Sequence, residues 1–372
     1  MYWAEIVEEE LVGIDEAGQR RAPRDLALTG PRGSIRSTNA KIVSFASNDY
    51  LGLATHRAVT QAAATAACEL GAGSGSARLI VGSRALHTDL EAELADWRGT
   101  DSATLFPTGF AANLGAMTTF GAHASVICSD ELNHASIIDG CRQARAPVKI
   151  FDHRNVARVD AILAESGDSG IVVSDSIFSM DGDLAPIAEL ASVCAAHSAL
   201  LILDDAHAVF ELPELNSTGA EILRIGTLSK MLGSLGGFVA GPKPFCDLLV
   251  NRARSYIFTT ASTPPDMAAA TAALAVVRSP EGAALTATLR GHIDRFRPGH
   301  PSPILPIVIG SETAAVAASA ELESRGLLVP AIRPPTVAPG TSRLRVTLSA
   351  AHTNDEVEQL AAALEEMSID PS

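Results

Sequence analysis

A chain of 372 residues, 47% of them hydrophobic, is long enough to bury a substantial core and predicts two domains or one large one. With 28 Lys and Arg against 43 Asp and Glu, the formal net charge of −15 argues against nucleic acid and anionic membrane surfaces as partners. The five cysteines form no C-x-x-C pair, the acidic N-terminus lacks an apolar signal core, and no apolar run approaches the roughly 20 residues of a membrane span, so the expectation is a soluble protein of the reducing cytoplasm.

Residues 1–44 read as an N-terminal helix and arm, 45–263 as a large domain and 264–372 as a smaller one. An alanine-rich helix is predicted over 57–70 and another helix over 87–97. Six short apolar runs follow with turn residues around them: SATLFP (102–107), ASVICSD (124–130), VKIFDH (148–153), GIVVSDSIF (170–178), ALLILDD (199–205) and GGFVAG (236–241). Runs of this length and continuity predict strands buried on both faces. Helical segments at 109–119 and 187–197 alternate with them, which predicts an α/β domain with a mostly parallel sheet. Beyond 264 come an alanine-rich helix (264–278), the run PILPIVIG, a helix over 313–325, the run RLRVTLSA and a last helix, a pattern that fits a smaller α+β domain.

Ligand sites in open α/β sheets lie at the carboxyl ends of strands. Several polar residues fall at such ends: Asp204 after ALLIL, Ser174, Asp175 and Ser179 after IVV, Asp130 and His134 after SVIC, and Thr108-Gly109-Phe110 after ATLFP. Asp204 reads as a cap or turn residue, or as a carboxylate that keeps a pyridine nitrogen protonated. A metal pair with His207 is a third reading, weakened because no further ligand cluster follows. Lys230 stands between a hydroxyl-rich strand end and Gly233, Gly236 and Gly237. A lysine desolvated there loses proton affinity and becomes a nucleophile for a Schiff base. Thr108 to Asn113 reads as a phosphate cradle at a helix N-terminus or as an ordinary N-capped helix. His134 reads as a core histidine or as one lying flat on an aromatic ring. The stretch ELGAGSGSARLIVGS does not match G-x-G-x-x-G, and its glycines read as a turn over the site.

Taken as a set, SNDYLGL (47–53), FPTGFAANLGA (106–116), DELNHASIIDGCR (130–142), DSIFSMDGDLAPI (175–187), LDDAH (203–207), TLSK (227–230) and AIRPPTVAPGTSRLRVTLSAAHT (331–353) resemble the α-oxoamine synthases. These are pyridoxal-phosphate (PLP) enzymes of the aspartate-aminotransferase fold, fold type I. The resemblance runs from about residue 44 to 352. It implies that Lys230 carries the cofactor, Asp204 pairs with the pyridinium nitrogen, and His207 and Ser179 meet its phenolic oxygen side. His134 would stack on the ring, while Thr108, Gly109, Phe110 and Thr227 would hold the phosphate. Asn48 and Arg345 would grip an amino-acid carboxylate, Arg333 and Thr336 would face the substrate entrance, and Arg20 or Arg21 would approach the acyl donor. Thr259 or Thr260 would reach the phosphate of a neighbouring subunit in a homodimer.

The IRPPTV stretch resembles most the members that join L-alanine to a pimeloyl thioester, on CoA or acyl-carrier protein, with loss of CO2. A synthase using glycine or serine with another thioester, and a non-catalytic relative, are the alternatives. Two segments depart from the family pattern, one of them the linker after Arg297, PGHPSP, which looks shortened. After His207 the family usually continues with a glycine-rich stretch, whereas Ala208-Val209-Phe210-Glu211-Leu212-Pro213-Glu214 stands here.

Overall fold

The computed structural model describes residues 2–16, 19–215 and 218–371; Met1, Ala17, Gly18, Asn216, Ser217 and Ser372 lie outside the described residues. Its centre is a seven-stranded sheet in the spatial order Ser102–Phe106, Gly237–Gly241, Glu221–Thr227, Leu200–Asp204, Ile171–Asp175, Ile127–Asp130, Val148–Phe151. Gly237–Gly241 runs antiparallel to both neighbours, and the other pairings are parallel. The chain thus forms the α/β architecture its alternating pattern predicts.

Successive strand residues face opposite sides of a sheet. Ile171, Val173 and Ile202 join Ala112, Ala116, Met117 and Leu249 on one face. Val172, Leu201 and Leu203 join Val159, Ile162, Leu190 and Cys194 on the other, and Leu105, Phe238 and Ala240 continue toward Leu90, Leu94, Met267 and Leu274. Cover on both faces is why these strands read as unbroken apolar runs. Val148–Phe151 corrects that reading. It is the edge strand, and Val148, Lys149 and Ile150 are exposed while Phe151 alone is buried.

The small sheet pairs Ile304–Gly310, Ser342–Thr347 and Ala331–Ile332 antiparallel, and its core includes Leu322, Leu344, Val346, Leu360 and Leu364. Five helices are not named from the sequence: Ala135–Gln143, Val156–Ser166 and Arg254–Ile257, and the longer pair Lys243–Arg252 and Pro280–Asp294. The last begins where Ser279 Oγ accepts the backbone N–H groups of Glu281 and Gly282. The N-terminal helix Trp3–Glu16 buries none of its residues. After it, Leu26–Thr29, Arg32–Ile35 and Lys41–Ser44 form an antiparallel ribbon, and Leu327–Leu328 adds to it in parallel. These strands were not expected within the arm. Among the described residues no helix is long and apolar enough to cross a membrane.

One turn, residues 179–183, ties the two sheets together. From the small sheet, Arg345 Nε donates to the Ser179 carbonyl at 2.6 Å and Arg343 pairs with Asp181. From the large sheet, His153 Nε2 meets Asp183 at 2.9 Å while its Nδ1 meets Asp130 at 3.0 Å, and Arg154 also reaches Asp183. Gly182 stands at φ +68°, and a Cβ there would lie 2.2 Å from the Ile304 carbonyl oxygen, so the turn admits only glycine.

Burial opposes the charge on His153, but Asp130 and Asp183 outweigh it and lift its pKa from 6.5 to about 9. A histidine pKa raised by folding contributes stability that is full below 6.5 and lost as pH climbs through about 9. His153→Gln is therefore expected to lower the Tm at pH 6, with the gap to wild type closing between pH 6.5 and 10 in thermal melts. A gap that widens with pH would contradict the bridge.

Candidate active site

Two neighbouring strands end in acids. The register sets Asp175 beside Asp204, and the two are 2% and 4% exposed. Asp204 Oδ1 accepts the Ala206 N–H at 2.9 Å, and Oδ2 accepts Asn113 Nδ2 at 2.6 Å. Asn113 Nδ2 also donates to Ser136 Oγ at 2.9 Å, and that hydroxyl meets His134 Nδ1 at 2.7 Å. Asp204 is thus oriented by a helix residue that also steadies His134, the N-cap of Ala135–Gln143. Asp175 Oδ2 accepts the His134 N–H at 2.7 Å. Burial, and then the neighbouring Asp204 charge, push the Asp175 carboxyl well above the ordinary range. The pair therefore resists carrying two charges.

Lys230 follows the strand Glu221–Thr227, in a turn closed by its own carbonyl accepting the Gly233 N–H at 2.9 Å. A Cβ on Gly233 (φ +58°) would meet the Ala54 nitrogen at 2.3 Å, so the turn packs directly on the backbone after SNDYLGL. Burial lowers the Lys230 pKa, against the opposing pull of Asp204 and Asp175. A larger share of the amine is consequently neutral and nucleophilic than in free lysine.

The helix Gly109–Phe120 points its N-terminus to the same end of the sheet. Thr108 caps it, accepting the Ala111 N–H at 3.0 Å. Thr227 Oγ1 stands behind, 2.7 Å from Ser229 Oγ and 3.0 Å from the Gly236 carbonyl that it donates to. An ideal Cβ on Gly109 would lie 3.4 Å from Thr227 Cβ. Backbone N–H groups at a helix start, flanked by two hydroxyls, suit a phosphate.

Arg345 comes in from the small sheet. Besides Ser179, it donates from Nη1 to Thr347 Oγ1 at 2.9 Å and from Nη2 to Asn48 Oδ1 at 3.2 Å. The Tyr50 hydroxyl takes a further N–H of the guanidinium, whose planar shape and charge suit a carboxylate. Tyr50 OH lies 3.1 Å from Asn48 Oδ1 and 2.6 Å from His207 Nδ1. His207 is 4% exposed, and burial followed by the Lys230 and Arg345 charges holds its pKa well below 6.5, so the imidazole is neutral.

Arg21, Arg333 and Thr336 line one cavity of about 260 Å³, together with Gln19. Arg20 does not line it and instead lies 3.5 Å from Asp15 at the surface. Ser179 enters through its carbonyl, which fixes Arg345. Thr259 and Thr260 follow the short helix Arg254–Ile257. From sequence, Ser136 and Tyr50 carry no task of their own and Asp175 is only a strand end, while Asn113, expected in the phosphate cradle, turns its amide to Asp204 instead. Their tasks are to hold other side chains, and residue type and spacing carry no signal for that.

The family described as aminotransferase class I and II matches residues 40–364. The 8-amino-7-oxononanoate synthase of Burkholderia thailandensis is 44% identical, with 96% of both chains covered. That of Marinobacter nauticus is 45% identical over 96% of this chain and 94% of its own. Among solved structures, serine palmitoyltransferase from S. paucimobilis with PLP and myriocin bound superposes with a TM-score of 0.86 at 26% identity, covering 97% of each chain.

Gly237 is packed so closely that a Cβ would lie 2.5 Å from the Gly109 nitrogen. Gly237→Ala is expected to displace the helix start and weaken PLP binding by about 10-fold or more, the loss of one charge-assisted hydrogen bond, read by absorbance titration of the apoprotein. Unchanged affinity would remove Gly109 and Phe110 from the cradle.

Proposed function

The chain belongs to the class I and II aminotransferase family of PLP-dependent enzymes, and we propose that it makes 8-amino-7-oxononanoate, the reaction its 44–45% identical relatives are named for. The substrates in this reading are L-alanine and a pimeloyl thioester on CoA or acyl-carrier protein. The products are 8-amino-7-oxononanoate, CO2 and the free thiol, a step in biotin synthesis. The observation that carries the reading is one arrangement: a half-buried amine after one strand, a buried carboxylate at the end of the next that is tied to a helix start through Asn113, and an arginine brought in from the small sheet.

The residues fit PLP by their chemistry. Among the described residues, Asp204 is a buried acid with no cation hydrogen-bonded to it, which suits a pyridinium nitrogen, and Lys230 is a half-buried amine with no hydrogen-bonded acid, which suits an aldehyde. Bound PLP supplies that aldehyde and a ring that withdraws electrons from carbon. Gly109, Phe110 and Thr227 would hold its phosphate, His134 would cover one ring face, and His207 and Ser179 would lie on its phenolic side.

The protein's own groups divide the remaining work. Lys230 Nζ, its proton affinity lowered by burial, takes the α-proton of alanine and returns one after CO2 has left. Asp204 is the residue that would hold the ring nitrogen, and a carboxylate there would favour the protonated ring. Arg345 and Asn48 hold the alanine carboxylate, and so set which bond at the α-carbon stands perpendicular to the ring. Arg21, Arg333 and Thr336 line the route of the acyl donor; Arg21 rather than Arg20 is the N-terminal arginine in that role.

The test is product analysis by mass spectrometry with L-alanine, glycine or serine and several thioesters. Only alanine with a pimeloyl thioester should give an amino-oxo acid; product from glycine or serine alone would move the chain to another synthase of the same chemistry. In the same assay Arg345→Ala is expected to raise the alanine KM by about 10- to 100-fold, the loss of one or two charge-assisted hydrogen bonds.

A homodimer of the cytoplasm completes the reading. The free cysteines support the compartment. Apolar side chains in the open support the dimer: Trp3, Ile80, Val81 and Phe258 are 69–81% exposed, and the last stands next to Thr259 and Thr260. Sedimentation equilibrium should return twice the 38.6 kDa chain mass, and a monomer at micromolar concentration would reject the dimer.

A further inference from the structure

The helix Ala135–Gln143 aims two donors of one residue at its own N-cap. His134 Nδ1 accepts the Ser136 backbone N–H at 3.2 Å, and the Ser136 hydroxyl oxygen lies 2.7 Å from the same nitrogen. A backbone N–H can only donate, so Nδ1 presents its lone pair and carries no hydrogen. The hydrogen in the 2.7 Å contact therefore belongs to the hydroxyl, and Ser136 Oγ–H donates to Nδ1. Burial lowers the His134 pKa, in keeping with a ring that holds a single proton. That proton sits on Nε2, which takes part in no hydrogen bond among the described residues.

The same order runs on to Asp204. With its hydrogen directed at the imidazole, Ser136 Oγ offers only lone pairs to the Asn113 amide 2.9 Å away, so the amide atom facing it is the NH2 nitrogen. The second hydrogen of that NH2 reaches Asp204 Oδ2 at 2.6 Å. Both amide hydrogens are then engaged, and Asn113 Oδ1 is left buried with no partner among the described residues. An orphaned buried oxygen is costly. Turning the amide over would bring no relief, because it would set that oxygen against Asp204 Oδ2 while the NH2 lost both acceptors. Ser136 and Asn113 are 0% and 1% exposed, so water does not compete for these groups. The order is anchored at a backbone N–H, and it holds without a ligand.

We propose that Ser136 and Asn113 are positioning residues that fix His134 in one tautomer, with Nδ1 bare and Nε2 protonated, so that the histidine offers the site a hydrogen-bond donor. Asp204 and Lys230 both act on the charge of His134, which places the ring in the space they share. The ligand class this selects carries an acceptor oxygen, a carboxylate or carbonyl; naming that oxygen as one of the amino acid or the thioester rests on the reading above. One amide thus orders two residues of the site, Asp204 directly and His134 through Ser136.

The experiment is 15N NMR of the histidine-labelled protein, with the His134 signals identified by their loss in His134→Gln. In the wild type, Nδ1 should appear unprotonated and Nε2 protonated. Ser136→Ala removes the short donor and leaves only the backbone N–H at 3.2 Å, so the Nδ1 signal should move toward that of an unbonded ring nitrogen. Asn113→Leu removes the N–H that polarises the Ser136 hydroxyl from behind, so the same signal should move the same way by a smaller amount. A purely space-filling Asn113 would not direct its effect at Nδ1. A wild-type His134 protonated on Nδ1 overturns the proposal whether or not the variants fold. An unmoved Nδ1 signal in folded Ser136→Ala or Asn113→Leu overturns it as well. Every group in the chain belongs to the protein, so the same tautomer is expected before and after PLP is added. A protein that binds no PLP would sink the functional reading and leave this one to be decided at Nδ1.

Discussion

The site depends on an acid and an amine that the fold holds close without letting them pair. Asp204 ends one strand, Lys230 follows the end of the next, and the amine feels the acid nearby. Asp204 is instead engaged by Asn113 and the Ala206 N–H, neutral donors that orient it without discharging it. Had the two closed into an ion pair, the amine would be a protonated, unreactive cation and the acid would have no ring nitrogen to serve. Packing enforces the separation. The Lys230 turn is pressed on the backbone at Ala54 through Gly233, and Asp204 is fixed by a strand buried on both faces.

The second constraint is mechanical. Arg345 belongs to the small sheet, but its substrate fork has meaning only relative to the ring-side residues of the large one. The turn at 179–183 supplies the registration, with Arg345 and Arg343 holding it from one side and His153 and Arg154 from the other. A side chain at Gly182 would push this turn off the Ile304 carbonyl and tilt the fork with it. The sequence run IFSMDGD therefore serves the chemistry through its backbone at least as much as through its hydroxyl.

How far the sequence alone reaches follows from the same physics. Central strands such as Leu200–Asp204 and Ile171–Asp175 are legible because burial on two faces forces unbroken apolar runs. The ribbon Leu26–Ile35 is not legible, since its strands are four residues long and mostly exposed, leaving little apolar pattern to read. Lys243–Arg252 and Pro280–Asp294 mix polar and apolar residues without an alanine-rich signature and escape for that reason. In the site, groups that touch a ligand were legible from their place at strand ends and from family resemblance. Asn113, Ser136, Asp175 and Tyr50 were not, because each acts by holding another residue across 20 or more positions of sequence.

The departure after His207 can be placed by register. Residues 208–215 line a groove of about 1490 Å³ whose floor includes Glu221, Ile222, Arg224 and Gly241. Glu221 opens the strand that Thr227 closes, and Gly241 pairs with Ser102, the first residue of its strand. The groove thus reaches the amino ends of the parallel strands, while Asp204, Thr227 and Lys230 lie at the carboxyl ends. His207 itself is held by Tyr50, from the opposite side of the sequence change. Replacing a glycine-rich stretch at 208–214 consequently reshapes a surface behind the sheet and leaves the groups at the cofactor end in place.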